Sequence, residues 1–299
     1  MFKKVCIIGC GLIGSSLARA MKEKNLAEKI ASSNRSNLIN KKVIELKIVD
    51  ESSSETEKMV VGSDLIIIAT PLSSYEEVIL KIKGSLKSGC ILTDVGSVKG
   101  IILNLIEKHI PENVSWIPSH PIAGTEESGP EAGFSELFKN RWCILTPSKN
   151  AKKKEINLLK DFWEKIGSKV DIMEAKKHDH ILSITSHIPH LVAYNIVSTS
   201  LNIQDEKKSE IVKYSASGLR DFTRIAASNP IMWRDIFIQN KKNTSEMVDK
   251  FINNLEELKK AIENEDEKKL EKIFSKTKKI RKDIVEAGQD IDKPNFGRK

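Results

Sequence analysis

The run VCIIGCGLIGSS, residues 5–16, constrains the fold of this chain more than any other stretch. An apolar, strand-like segment ends at Gly9, and Gly9, Gly11 and Gly14 then stand in GxGxxG spacing ahead of a helical pattern. The first glycine permits a tight turn, the second lets the main chain approach a pyrophosphate, and the third lets helix and strand pack closely. The helix opens at Leu12 and Ile13, and its free N–H groups face the phosphates. Strand, turn and helix in that order predict a dinucleotide-binding α/β domain.

The pattern continues downstream. KIAS (29–32), DLIIIAT (64–70), CILTDV (90–95), the VSWIPSH stretch, WCILTP (142–147) and KVDIM (169–173) read as strands. Helices are expected around YEEVILKIKGSL and SVKGIILNLIEKHI. The alternation predicts a parallel sheet with helices on both faces over residues 1–174. Beyond that the strand signal stops, and residues 175–299 read as an all-helical domain. HDHILSITSHIPHLVAYNIVSTSL is expected to be one long apolar helix, bent where Pro189 leaves the Thr185 carbonyl without its donor. Asn229 caps a helix with Pro230 in its first turn, and that helix is expected to run past Ile262. Val248, Phe251, Leu255, Leu258 and Ile262 form an apolar stripe with too few partners in one helical domain, which predicts a homodimer. A further helix follows, and the tail DIDKPNFGRK is expected to be loose.

Composition narrows the function classes. Cys6, Cys10, Cys90 and Cys143 are scattered without CxxC spacing, so they read as buried thiols, with no disulfide and no metal site. There is no signal-peptide pattern and no apolar run of the ~18 residues that a membrane span needs. A cytoplasmic protein without membrane association is expected. The net charge of +8 resides in segments where Lys alternates with Glu and Asp at helical spacing, which is a solvated face and not a nucleic-acid site. Its field suits a small polyanion.

At the end of the second strand, where an acidic residue would hold the ribose 2′-hydroxyl of NAD, the chain reads ASSNRS. Ser33, Asn34 and Arg35 would accept a 2′-phosphate that a carboxylate would repel. NADP is therefore expected in preference to NAD; the alternative is that Asn34 serves the 2′-hydroxyl and Arg35 is a surface arginine. Thr70 and Pro71, at the end of the third strand, complete the expected cofactor contacts. About a hundred residues beyond the glycines, SHPIAGTEESGPEAG (119–133) places His120 in a small-residue loop. A histidine is suited to take a substrate's proton near neutral pH while the cofactor is reduced.

GLIGSS, DVGSVKG, SHPIAGTEESG, SHIPH and DFTRIAASNPIMWRDI occur in that order between residue 4 and about residue 240. Together they resemble the prephenate/arogenate (cyclohexadienyl) dehydrogenase family of tyrosine biosynthesis. The resemblance implies a Rossmann domain followed by a helical dimerisation domain, with the active site between them. The implied reaction is NAD(P)-dependent oxidative decarboxylation of prephenate to 4-hydroxyphenylpyruvate, or of arogenate to tyrosine. Loss of CO₂ makes the ring aromatic, so the step is effectively irreversible. By the same resemblance His120 is the base, and Ser97 bonds both the histidine and the substrate hydroxyl. His190 contacts substrate with Ser186 and His187 nearby, and Arg224 binds a substrate carboxylate, for which a guanidinium fork is suited. Trp233 closes the pocket, and Thr125 and Glu126 edge it. Arg220 adds a cation, Arg234 and Asp235 pair structurally, and His178 and His180 are surface or structural residues.

Two other classes fit the glycine fingerprint. A β-hydroxyacid or imine reductase would bring a lysine from its helical domain as proton donor. A non-catalytic NADP-binding sensor would need no His120–Ser97 pair. A chorismate mutase domain is not expected ahead of the fingerprint, nor a regulatory domain after the last helix, so any feedback by tyrosine would act at the active site.

Overall fold

The computed structural model describes residues 2–201, 213–215 and 217–286, which leaves the tail expected to be loose outside the described residues. The chain divides into two compact units, Met1–Thr244 and Ser245–Lys299.

In the first unit, β1 (Phe2–Ile8), α1 (Leu12–Glu23), β2 (Ala27–Ser33), α2 (Asn37–Glu45), β3 (Glu51–Ser53), α3 (Thr56–Met59), β4 (Leu65–Ile68), α4 (Tyr75–Ile82), β5 (Ile91–Asp94), α5 (Gly100–Ile106) and β6 (Ser115–Trp116) follow in turn. The six strands form one parallel sheet in the order β3-β2-β1-β4-β5-β6. Strand periodicity divides the core between the two faces. Val5 and Ile7 pack with Leu17, Met21 and Trp163 on one side, while Cys6 and Ile8 pack with Ile66, Ile68, Tyr75 and Trp116 on the other. Each fully buried aliphatic chain contributes about 1.5–3 kcal/mol. The four cysteines are free and buried.

Two features of the strands depart from the sequence reading. The short polar strand β3 carries no apolar signal that would reveal it. The last three strands, β7 (Ser119–Pro121), β8 (Trp142–Leu145) and β9 (Lys169–Ile172), form a separate sheet, with β7 antiparallel to β8 and β8 parallel to β9. Pro118 has no N–H with which to continue the ladder after Ile117 donates to Leu92, and its carbonyl instead accepts from Thr146. α6 (Lys153–Ile166) links β8 to β9.

The expected long apolar helix is α7 (Ala175–Leu182), a π turn (Ser183–His187) and α8 (Ile188–Leu201). The wider turn lies immediately before Pro189, where the α-helical ladder loses a donor. α9 (Ser217–Thr223) and a 3₁₀ turn (Arg224–Ala227) lead to α10 (Pro230–Gln239). The Asn229 side chain accepts from the N–H groups of Ile231 and Met232, which is the expected cap. The expected single helix past Ile262 is instead two, because Asn240 leaves helical geometry (φ −106°, ψ 29°) between α10 and α11 (Lys241–Glu263).

The second unit comprises α11 from Ser245 and α12 (Glu267–Ile284), whose cap Asp266 accepts from the Lys269 N–H. Lys269 also pairs with Glu257 at 2.9 Å. Leu255, Ile262, Phe274, Ile280 and Ile284 remain exposed on these helices. No helix among the described residues is long and apolar enough to cross a membrane.

Candidate active site

The glycine turn has the shape that a dinucleotide pyrophosphate requires. Gly9 sits at φ +95°, and a Cβ there would lie 2.8 Å from the Ala69 main chain and 2.9 Å from Thr70. A Cβ on Gly14 would lie 2.2 Å from the Gly9 carbonyl oxygen, whereas one on Gly11 would meet nothing within 4 Å. The turn is thus closed against the sheet and open at Gly11, beside Leu12 and Ile13 at the uncapped N-terminus of α1. These residues fit a dinucleotide. Thr70 and Pro71 lie just beyond β4, where the Thr70 hydroxyl accepts from Ser74 at 2.8 Å.

Asn34 supports this turn from inside. Its Oδ1 accepts from the Cys10 N–H at 2.6 Å, and its Nδ2 donates to Asn40 at 2.9 Å. Ser33 is also buried, with its hydroxyl 2.9 Å from that of Thr56. Of the three residues expected to meet the 2′ position, Arg35 alone is exposed.

His120 stands on β7, against the carboxyl end of β5, where ligands of parallel sheets gather. The Ser119 N–H donates to Asp94 Oδ1 at 3.2 Å, and the Ser119 hydroxyl lies 3.1 Å from that of Thr93. Asp94 also accepts from Tyr75 at 3.1 Å, from the Gly96 N–H at 2.8 Å and from the fully buried ammonium of Lys99. Burial pushes the Lys99 pKa down against the pull of Asp94. At the far end of the loop the Phe134 N–H donates to Ser16, and a Cβ on Gly133 would strike Ser15, so the segment packs on α1.

His120 Nδ1 lies 2.8 Å from His178 Nε2, and His178 Nδ1 lies 2.9 Å from Asp179 Oδ1. His178 occupies Nδ1 of His120; no hydrogen bond between Ser97 and the ring is present among the described residues, and Ser97 lies half-buried in the loop after β5. Burial, reinforced by His178 and Lys99, holds the His120 pKa well below the ordinary histidine value of 6.5. The ring is neutral at pH 7 and able to accept a proton.

The remaining predicted residues lie on the helical segments and the loop after β7. The ring of His190 stacks on Trp233 with centroids 3.7 Å apart, and its Nδ1 lies 2.8 Å from the carbonyl of half-buried Ser186. Burial lowers the His190 pKa, the Ser186 carbonyl opposes this, and the Arg224 guanidinium lowers it further. His187 is buried, edge-on to Trp233, with its pKa pushed down to about 4, chiefly by burial. Its Nδ1 lies 3.2 Å from Asn240 Nδ2. Exposed Arg224 pairs with Glu126 at 3.3 Å, which joins the 3₁₀ turn to the loop after His120, while Thr125 caps that loop by accepting from the Glu127 N–H. Arg234 pairs with Asp235 at 2.6 Å, as expected.

The sequence reading missed His178, Asp179 and Asn240. His178 is fully buried, not a surface residue. The available signal was a His-Asp pair at the head of the apolar stretch that continues through ILSITSHIPHL, where an ionisable pair that becomes buried needs partners.

Comparison with known proteins gives a consistent result. The model described as "Prephenate dehydrogenase, nucleotide-binding domain" matches residues 17–172, and "Prephenate dehydrogenase, dimerization domain" matches residues 174–276. Cyclohexadienyl dehydrogenase of Zymomonas mobilis is 35% identical over 94% of this chain and 96% of that protein. Prephenate dehydrogenase of Bacillus subtilis is 30% identical over 93% of this chain and 75% of that protein. The crystal structure of prephenate dehydrogenase from A. aeolicus, in complex with hydroxyphenyl propionate and NAD+, superposes with a TM-score of 0.88 at 33% identity, covering 95% of this chain and 99% of that one.

Proposed function

The chain belongs to the prephenate dehydrogenase family, and on that premise we propose that it oxidises a cyclohexadienyl substrate, prephenate or arogenate, with His120 taking the proton of the ring hydroxyl. The observation that carries this reading is the neutral, buried His120 at the carboxyl end of the sheet, on the loop that packs against the helix of the dinucleotide turn. The nicotinamide dinucleotide supplies the oxidant when bound. Gly9, Gly11 and Gly14 shape its pyrophosphate cradle, and the N-terminus of α1 offers uncapped N–H groups to it.

Arg224 receives a substrate carboxylate. Its pairing with Glu126 leaves guanidinium N–H groups for a second acceptor. His190 and Trp233 form a stacked wall beside it, and Ser97 lies on the loop after β5 for the substrate hydroxyl. NADP is preferred to NAD, because no carboxylate follows β2 and exposed Arg35 suits a 2′-phosphate. Leu255, Ile262 and Phe274, exposed apolar residues of the second unit within the region matching a dimerisation domain, form a homodimer interface.

Reduction of each cofactor, followed at 340 nm on adding prephenate and then arogenate, tests the function. Turnover with at least one substrate is expected, and side-by-side kcat/KM values assign the preferred one. Silence with both refutes the reading, and a tenfold or greater preference for NAD refutes the cofactor assignment.

A further inference from the structure

A neutral imidazole has one nitrogen that donates and one that accepts, and only the second can take a proton. At His120 the surrounding hydrogen bonds determine which is which. The chain of contacts begins at Asp179, whose carboxylate can only accept. Its Oδ1 takes the Lys99 N–H at 2.8 Å and its Oδ2 the Gly100 N–H at 2.7 Å. A Cβ on Gly100 would lie 2.8 Å from Oδ2, so the bare glycine lets the carboxylate seat there. The Asp179 carbonyl accepts from Asn240 at 2.8 Å, which ties this point of α7 to the break between α10 and α11.

With Asp179 held as an acceptor, His178 must donate from Nδ1 across 2.9 Å. Burial holds His178 neutral, so its Nε2 carries a lone pair. That lone pair faces His120 Nδ1 at 2.8 Å, and Nδ1 must therefore carry the hydrogen. His120 Nε2 is left with a lone pair and no protein partner among the described residues. The Nε2–H tautomer of His120 would set two lone pairs against each other, and the Nε2–H tautomer of His178 would set a lone pair against the Asp179 carboxylate.

We propose that His178 and Asp179 are positioning residues that hold His120 in its Nδ1–H tautomer, with Nε2 as the proton acceptor. The proposal rests on the assignment of His120 as base. When the hydroxyl proton moves to Nε2, the new positive charge lies on a ring whose Nδ1–H already points along a hydrogen-bond chain ending at a carboxylate. The other charged or titratable groups around the chain are Lys99, which disfavours a second cation, Asp94, which pairs with Lys99, and His187 on the π turn.

The direct test is the tautomer of His120 in the intact protein, read by NMR of ¹⁵N-histidine-labelled enzyme. The His120 signals among the six histidines are identified by their loss in His120→Asn. The Nδ1–H tautomer is expected, and an Nε2–H tautomer overturns the proposal. In kinetics, His178→Phe is expected to lower kcat about a hundredfold or more, within the range that a positioned base contributes. KM and the dissociation constant for the dinucleotide should stay unchanged. His178→Gln, whose amide oxygen can accept from Nδ1–H, is expected to recover much of the loss. Unchanged kcat in a folded His178→Phe overturns the proposal; if that variant does not fold, the wild-type tautomer decides. Full turnover by His120→Asn would remove the base assignment and leave the tautomer measurement intact, so the two failures are distinguishable.

Discussion

Lowering the pH should unfold this protein through its buried histidines, and His187 allows the effect to be sized. Its pKa is about 4 in the folded chain, with burial as the main cause, against 6.5 when unfolded. The unfolded state therefore binds the extra proton first as pH falls. The stability contributed by keeping His187 neutral is complete above about pH 6.5 and is lost progressively as the pH falls to 4. A difference of 2.5 units, 6.5 minus 4, corresponds to about 3 kcal/mol in full. About 2 kcal/mol of it is gone by pH 5. His187→Asn removes the titration but can keep an acceptor near Nδ1 for Asn240. Urea unfolding followed by tryptophan fluorescence at pH 8, 7, 6 and 5 should show the variant losing about 2 kcal/mol less than wild type between pH 8 and 5. The variant's smaller side chain costs stability equally at every pH, so the slope isolates the proton. His120 and His178 are lowered by burial too and keep part of the acid sensitivity in the variant. Parallel wild-type and variant curves would refute the reasoning.

Arg224→Ala should raise KM for prephenate by roughly 10- to 100-fold, the cost of a charged hydrogen bond, with a smaller change in kcat; equal losses in both would place Arg224 elsewhere. Gly14→Ala would set a methyl group 2.2 Å from the Gly9 oxygen, so it should lower stability by about 1–3 kcal/mol and weaken dinucleotide binding, measured by thermal unfolding and by titration. The acid limb of kcat/KM should lie below pH 6.5, because burial, with the Lys99 ammonium nearby, keeps His120 unprotonated there; a limb at or above that value would contradict a buried neutral base.

Much of the fold was legible because its determinants are local. The glycine spacing, the apolar strand runs and the Asn229–Pro230 cap each involve a few adjacent residues, and each forms as read. The second sheet was hidden because its separation depends on a missing donor at Pro118 and on pairing between segments more than twenty residues apart. β3 was hidden because Ser52 and Ser53 pair through polar contacts without an apolar run. At the site, His120, Arg224 and Trp233 lay in long motifs. Asn34 was assigned to the ligand, but its side chain turns inward to the Cys10 N–H. His178 and Asp179 acquire their role only when α7 packs against the start of α5, a contact across about eighty residues of chain that spacing alone does not reveal.

The proposed reaction depends on His120 taking the substrate's proton. Measuring kcat, KM and the dinucleotide dissociation constant for His120→Asn at pH 7 tests it most directly. A fall in kcat of about 10²–10⁴-fold is expected, with both binding constants near wild type. Turnover within a few-fold of wild type would contradict it.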